Sequence, residues 1–170
     1  EKISKSIFDN STLYLSMVKS SSAGILSFGI TGDELDIVKK YYPHQNQNSN
    51  SVEYIVEDMV IDSQDNLWAS SSGNYNYPLS VFTNNQSRHF PVNSAQNNII
   101  RSGSPLAVDN YNRLWLCSLN GLLMYKYSGN ILDPQSEKWF SQPIVEGANR
   151  RPFSLGVSKN NTLWILTDAG

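Results

Sequence analysis

Apolar and polar residues alternate along this chain in short runs, and the runs recur in groups of four. Met59-Val60-Ile61, Leu67 to Ser70, Leu79 to Phe82 and Arg88 to Phe90 form one group. Leu106 to Val108, Leu114 to Cys117, Leu122 to Tyr125 and Lys138 to Phe140 form the next, in the same order. Runs of this length and alternation predict strands. The second strand of three groups opens on a Leu-Trp pair, Leu67-Trp68, Leu114-Trp115 and Leu163-Trp164. The pairs recur at roughly 47 and 49 residues, close to the length of a four-stranded propeller blade. A degenerate fourth copy, Asp9-Asn10-Ser11-Thr12-Leu13-Tyr14, puts Tyr14 in the tryptophan's place.

A turn precedes each pair. Asp62, Asp109 and Ser158 open it, and a turn Asp caps backbone N–H groups two residues on. Three residues before each tryptophan stand Asp65, Asn112 and Asn161, the non-glycine types that best tolerate the left-handed backbone of a tight hairpin. Pro43, Pro91 and Pro143 follow the fourth strands, where a missing N–H harms no ladder. One stretch reads two ways. Leu35, Val38 and Tyr42 have helical spacing, but the segment fills the slot of Arg88 to Phe90 and of Lys138 to Phe140, so the repeat register predicts a strand.

The expected fold is therefore all-β, a β-propeller segment of four-stranded blades at about 1–43, 54–91 and 104–143, with an incomplete fourth at 152–170. A ring closes with four to eight blades, so the expectation is about three and a half blades of a larger, seven-bladed ring. The open edges would pair with the remaining blades or with another chain.

Composition narrows the partners. Thirteen basic against fifteen acidic residues give a net charge of −2, without the basic patch that nucleic-acid binding needs. No apolar run reaches the length of a membrane helix. Cys117 stands alone in a strand, as a small buried hydrophobe does.

The pattern Asp-x-x-Gly-x-Leu-Trp followed by Gly-Leu and an aromatic strand resembles the two-component regulator propeller repeat. The best match is Asp109 to Tyr125, ending Asn120-Gly121-Leu122-Leu123-Met124-Tyr125. The family's turn glycine is Asp65, Asn112 or Asn161 here, and Ser158 replaces the leading Asp of the last copy. The resemblance implies a periplasmic sensor region of a Bacteroidetes hybrid two-component system, recognising oligosaccharides and signalling to a kinase outside these residues. Two alternatives stand beside it: a structural propeller of a secretion-related assembly, and a propeller lyase or hydrolase.

On a rigid scaffold the variable loops carry recognition. Here these are the stretch between the first two blades, with His44, the stretch 96–104 with Arg101, and the insertion Gly73 to Pro78 with Asn74, Tyr75 and Tyr77. Tyr and Asn suit sugars, offering a ring face and paired donor and acceptor groups. Loop packing for the tyrosines and a structural ion pair for Arg101 are the competing readings. The chain has two histidines and one cysteine and lacks His-Glu-x-x-His and Gly-x-Ser-x-Gly, so neither a catalytic constellation nor a metal site is expected, and no cofactor.

Overall fold

A computed structural model of the chain describes residues 2–18, 24–31, 34–41, 55–72, 76–84, 86–95, 99–118, 121–142 and 152–167. Its elements are strands, apart from a three-residue 3₁₀ turn at Pro134–Ser136. Sheet 1 comprises β1 (Lys2–Asp9), β2 (Thr12–Val18), β3 (Gly24–Thr31) and β4 (Glu34–Tyr41). Sheet 2 comprises β5 (Ile55–Ile61), β6 (Leu67–Ser72), β7 (Leu79–Phe82) and β8 (Ser87–Phe90). Sheet 3 comprises β9 (Ala107–Val108), β10 (Leu114–Cys117), β11 (Leu122–Tyr127) and β12 (Glu137–Gln142), and sheet 4 has β13 (Pro152–Val157) and β14 (Leu163–Thr167).

Every sheet is an antiparallel meander whose strands lie in chain order. The first strand of each sheet lies against the first strand of the next, β1 on β5, β5 on β9 and β9 on β13. This is the radial order of a propeller, with the opening strands innermost. The ambiguous segment around Leu35 is strand β4, paired with β3 through Ile30–Leu35 and Phe28–Ile37, so repeat register prevails over local helical spacing.

Period-two alternation gives each sheet two apolar faces, and the Leu-Trp pair supplies one residue to each. Leu67, with Val56, Met59 and Phe82, packs on Ile25, Tyr14 and Tyr41 of sheet 1. Trp68, one residue on, faces the other way and packs with Leu79 and Phe90 against Leu106, Leu114 and Tyr125 of sheet 3. The same division recurs one repeat later, where Leu114 joins that core while Trp115 meets Leu155, Val157 and Leu163 of sheet 4. We call the Leu side the leading face and the Trp side the trailing face.

The last Leu-Trp pair departs from the core packing of the two before it. Trp68 is 1% exposed, whereas Trp164 is 66% exposed. Trp115 is half-buried. The three share one register position, and their burial follows the number of strands in the sheet that covers them: four for Trp68, two for Trp115 and none for Trp164 among the described residues.

Aromatic packing reinforces the interface between sheets 2 and 3. Trp68 and Phe90 meet Tyr125 edge-on at 5.4 and 5.3 Å between centroids, and Tyr125 lies 4.7 Å from Trp139. Arg88 crosses between these sheets, stacking over Phe90 and pairing with Glu137 at 2.5 Å.

Candidate functional site

The strands have two ends, and the residues build them differently. At the turn end, the hairpins joining first to second strands close in one pattern. Asp62, Asp109 and Ser158 each donate a backbone N–H to the carbonyl four residues on, at 3.1, 3.1 and 2.9 Å. Asp65, Asn112 and Asn161 follow with φ of 59°, 58° and 60°. This is a type I turn followed by a left-handed residue, the usual three-residue hairpin. The first sheet differs. Asp9 pairs directly with Thr12, so its turn is one residue shorter, with Asn10 at φ 50°.

The leading Asp does more than cap. Asp62 Oδ1 accepts the N–H groups of Gln64 and Asn66 at 2.9 and 3.0 Å, and its Oδ2 accepts the Trp68 indole at 3.0 Å. Asp109 repeats this, accepting from Tyr111 and Arg113 backbone at 2.9 and 3.0 Å, the Arg113 guanidinium at 2.5 Å and the Trp115 indole at 2.9 Å. The six-residue spacing from Asp to Trp is thus a hydrogen-bond distance as well as a pattern. Sheet 4 has Ser158 there, whose hydroxyl accepts only from Thr162 N–H at 3.1 Å among the described residues.

The left-handed residues also join neighbouring sheets. Asn112 Oδ1 accepts the Ser63 N–H of sheet 2 at 2.8 Å, and Asn161 Oδ1 accepts the Asn110 N–H of sheet 3 at 2.8 Å. Glycine, the residue of the resembling repeat, has no side chain to make this bond.

Tyr127 completes the turn end. Its hydroxyl lies 2.8 Å from Gln64 Oε1 and 3.2 Å from Asp62 Oδ2, and it accepts from Asn66 and Asn112 side chains. Burial first, then the Asp62 charge, pushes its phenol up to about 12.

Burial opposes ionisation of Asp109, but the donors from Trp115 and Arg113 outweigh it and hold the carboxyl below its usual range. A carboxylate depressed on folding contributes stability in full above its unfolded value near 4 and loses it as pH falls through the lower, folded value. Urea unfolding should therefore show Asp109→Asn less stable than the parent at pH 7, by about 2 kcal/mol. The gap should narrow below pH 4; a gap independent of pH would place the effect outside the carboxylate's charge.

Two of the residues selected from the sequence lie at the loop end. His44, Asn74 and Tyr75 lie outside the described residues. Tyr77 and Arg101 are described, both half-buried. Tyr77 sits between the second and third strands of sheet 2, flanked by Asn76, whose carbonyl accepts Val92 N–H at 2.8 Å, and Pro78, whose carbonyl accepts Ser71 N–H at 2.9 Å. Arg101 lies in the crossing from sheet 2 to sheet 3, where Ile100 bridges Ser118 and Arg101 N–H donates to Cys117 at 3.1 Å. Both therefore belong to the same end of the molecule.

The crossing strap is fastened at several points. Gly103 N–H and Ser102 Oγ both donate to the Ser71 carbonyl, at 3.0 and 3.1 Å. Gly103 has φ +66°, and a Cβ there would stand 3.1 Å from the Glu57 side chain, so conformation and space both favour glycine. Ser104 Oγ accepts Cys117 N–H at 2.6 Å, and Leu106 N–H donates to Asp58 Oδ2 at 2.9 Å. Asp58 also pairs with Lys5 of sheet 1 at 2.7 Å, so one carboxylate joins sheets 1 and 2 to the segment leading into sheet 3. Buried at the end of β10 beside this strap, the Cys117 thiol is pushed up to about 11 against the opposing pull of Ser104 and Arg101.

Sequence reasoning missed two parts of this end. Glu57 is an exposed carboxylate at a β-bulge, held by Ser72 Oγ at 2.5 Å, and Asp58 is the hub beside it. The repeat register could have found them, since they precede the turn Asp by five and four residues on an innermost strand. Among the described residues no group of acidic, His and Cys side chains could hold a metal ion. The chain matches no family model and no curated protein with which it was compared.

Proposed function

We propose that this propeller segment binds a ligand at its loop end, as part of a periplasmic sensor region. An oligosaccharide is the ligand class that Tyr75, Tyr77 and Asn74 suit, with Arg101 at the same end as Tyr77, and His44 joins the proposed set from its place in the sequence alone. The observation that carries the reading is the contrast between the ends. At the turn end the hairpins joining first to second strands are short, and polar side chains bond them to one another from sheet to sheet. The loop end holds the crossing from sheet 2 to sheet 3 and the connection from β6 to β7 on the same strands, with Tyr77 and Arg101 half-exposed. Rigid strands beneath adaptable loops favour recognition. The sensing role rests on the resemblance to two-component regulator propeller repeats, and the proposal is of binding without catalysis.

Oligosaccharide-array binding by the chain, followed by calorimetry on any hit, tests this. Tyr77→Ala and Arg101→Ala should each weaken binding about tenfold, or about 1.4 kcal/mol. Tyr111→Ala, which removes an exposed tyrosine from the turn end, should leave it unchanged. Loss with Tyr111→Ala alone would move the site to the opposite end. An array with no bound glycan would favour the second reading, a structural assembly component.

A further inference from the structure

We infer that a single buried water sits between sheets 2 and 3, bridging the Tyr125 hydroxyl and the Trp139 indole. This does not depend on the ligand proposal; it follows from two polar atoms that the fold encloses without a partner among the described residues.

Tyr125 and Trp139 stand directly opposite each other on β11 and β12, so their side chains lie side by side on the leading face of sheet 3. Tyr125 packs on Trp68 and Phe90 of sheet 2, and Trp139 on Phe90. Tyr125 is fully buried and Trp139 partly so, yet Tyr125 Oη and Trp139 Nε1 are both sealed from solvent, and neither has a hydrogen-bond partner among the described residues. Comparable groups nearby are satisfied. The Trp68 and Trp115 indoles donate to Asp62 and Asp109, but Trp139 lies outside the Leu-Trp motif and has no such carboxylate. Tyr127, two residues on from Tyr125, shares its hydroxyl among Asp62, Gln64, Asn66 and Asn112. Burying a polar group without a partner is costly, and folded proteins do so rarely.

The chemistry of the two atoms selects what bridges them. An indole N–H only donates, whereas a phenol both donates and accepts. The bridging group must therefore accept from Trp139 and either accept from or donate to Tyr125. Water does both, and two to four polar partners suffice to hold one. The Ile131 carbonyl, in the same cluster, accepts only Arg88 Nη1 at 3.2 Å among the described residues, so its second lone pair is open to a third bond. An anion would also accept from two donors, but the local positive charge is already matched, since Arg88 Nη2 pairs with Glu137 at 2.5 Å. Burial pushes the Tyr125 phenol above its usual range, so the hydroxyl keeps its proton.

A crystal structure of the chain grown in sodium bromide tests the inference. One water should lie within about 3.2 Å of both Tyr125 Oη and Trp139 Nε1, with no anomalous signal. An anomalous bromide peak at that position, or two side chains closed on each other with no density between them, would overturn it. Stability gives a second reading. A bridged hydroxyl is satisfied, so Tyr125→Phe should lower the urea midpoint. It should lower it less in a Trp139→Phe background, because that variant has already lost the bridge. A midpoint that stays or rises in Tyr125→Phe would mean that the hydroxyl is buried unpaired and would overturn the inference, as would equal losses in the two backgrounds.

Discussion

Trp68→Ala should destabilise the chain by about 3–5 kcal/mol, and Trp164→Ala, the same substitution in the same motif, should change stability by less than about 0.5 kcal/mol. Trp68 is enclosed by Phe90, Tyr125 and the aliphatic residues of sheet 3, so its removal opens a cavity between two complete sheets. Its indole also leaves Asp62 short of a donor. Trp164 has nothing packed on its exposed ring among the described residues, so truncation creates no cavity. Trp115→Ala should fall between them, because the two strands of sheet 4 cover it only in part. Urea midpoints measure all three. Equal losses would mean that the tryptophans stabilise their own hairpins and not the contact between sheets.

The second large effect is expected at a carboxylate. Asp62→Ala should cost about 3–5 kcal/mol, because several buried donors lose one charged acceptor and a single hydrogen bond to a charged group contributes about 1.5–3 kcal/mol. Five donors from four residues converge on this side chain: the backbone of Gln64, the backbone and amide of Asn66, the Trp68 indole and the Tyr127 hydroxyl. Buried donors left without an acceptor bear their full desolvation penalty. Ser158→Ala, at the same turn position in sheet 4, removes a single bond and should cost only about 0.5–1.5 kcal/mol. If Asp62→Ala is as mild as Ser158→Ala, the carboxylate is a local turn cap and does not secure the interface between sheets. The Asp62 and Trp68 variants share a hydrogen bond, so their effects should fall short of additive in the double variant.

The residues that made the fold legible are those whose local and tertiary demands coincide. Leu67-Trp68 alternates in sequence and also divides between two faces, so a pattern and a core report the same thing. Asn112 and Asn161 are legible as left-handed residues because that demand is local. Their bonds to Ser63 and Asn110 are not, since the partner belongs to another sheet and nothing in the local pattern names it. The Asp-to-indole bond lies between: the spacing is visible, but only the folded hairpin shows that it spans a hydrogen bond. Exposure of Trp164 was illegible for a different reason. The motif is intact, and burial depends on what covers it. Loop-end residues such as Tyr77 and Arg101 carry no periodicity, so sequence singled them out by residue type and loop length alone. The strap bonds of Gly103 and Ser102 to Ser71 are what place that end.

The central claim is that one motif occupies one register and acquires its burial from the neighbouring sheet. Indole hydrogen exchange, followed by NMR on the chain with the tryptophan signals assigned, tests it most directly. Trp68 Nε1–H, bonded to Asp62 and buried between complete sheets, should exchange slowest. Trp115 Nε1–H, bonded to Asp109 under a two-stranded cover, should be intermediate. Trp164 should exchange fastest, at a rate close to that of an exposed indole. A protected Trp164, or a Trp68 that exchanges as freely as Trp164, would contradict the account.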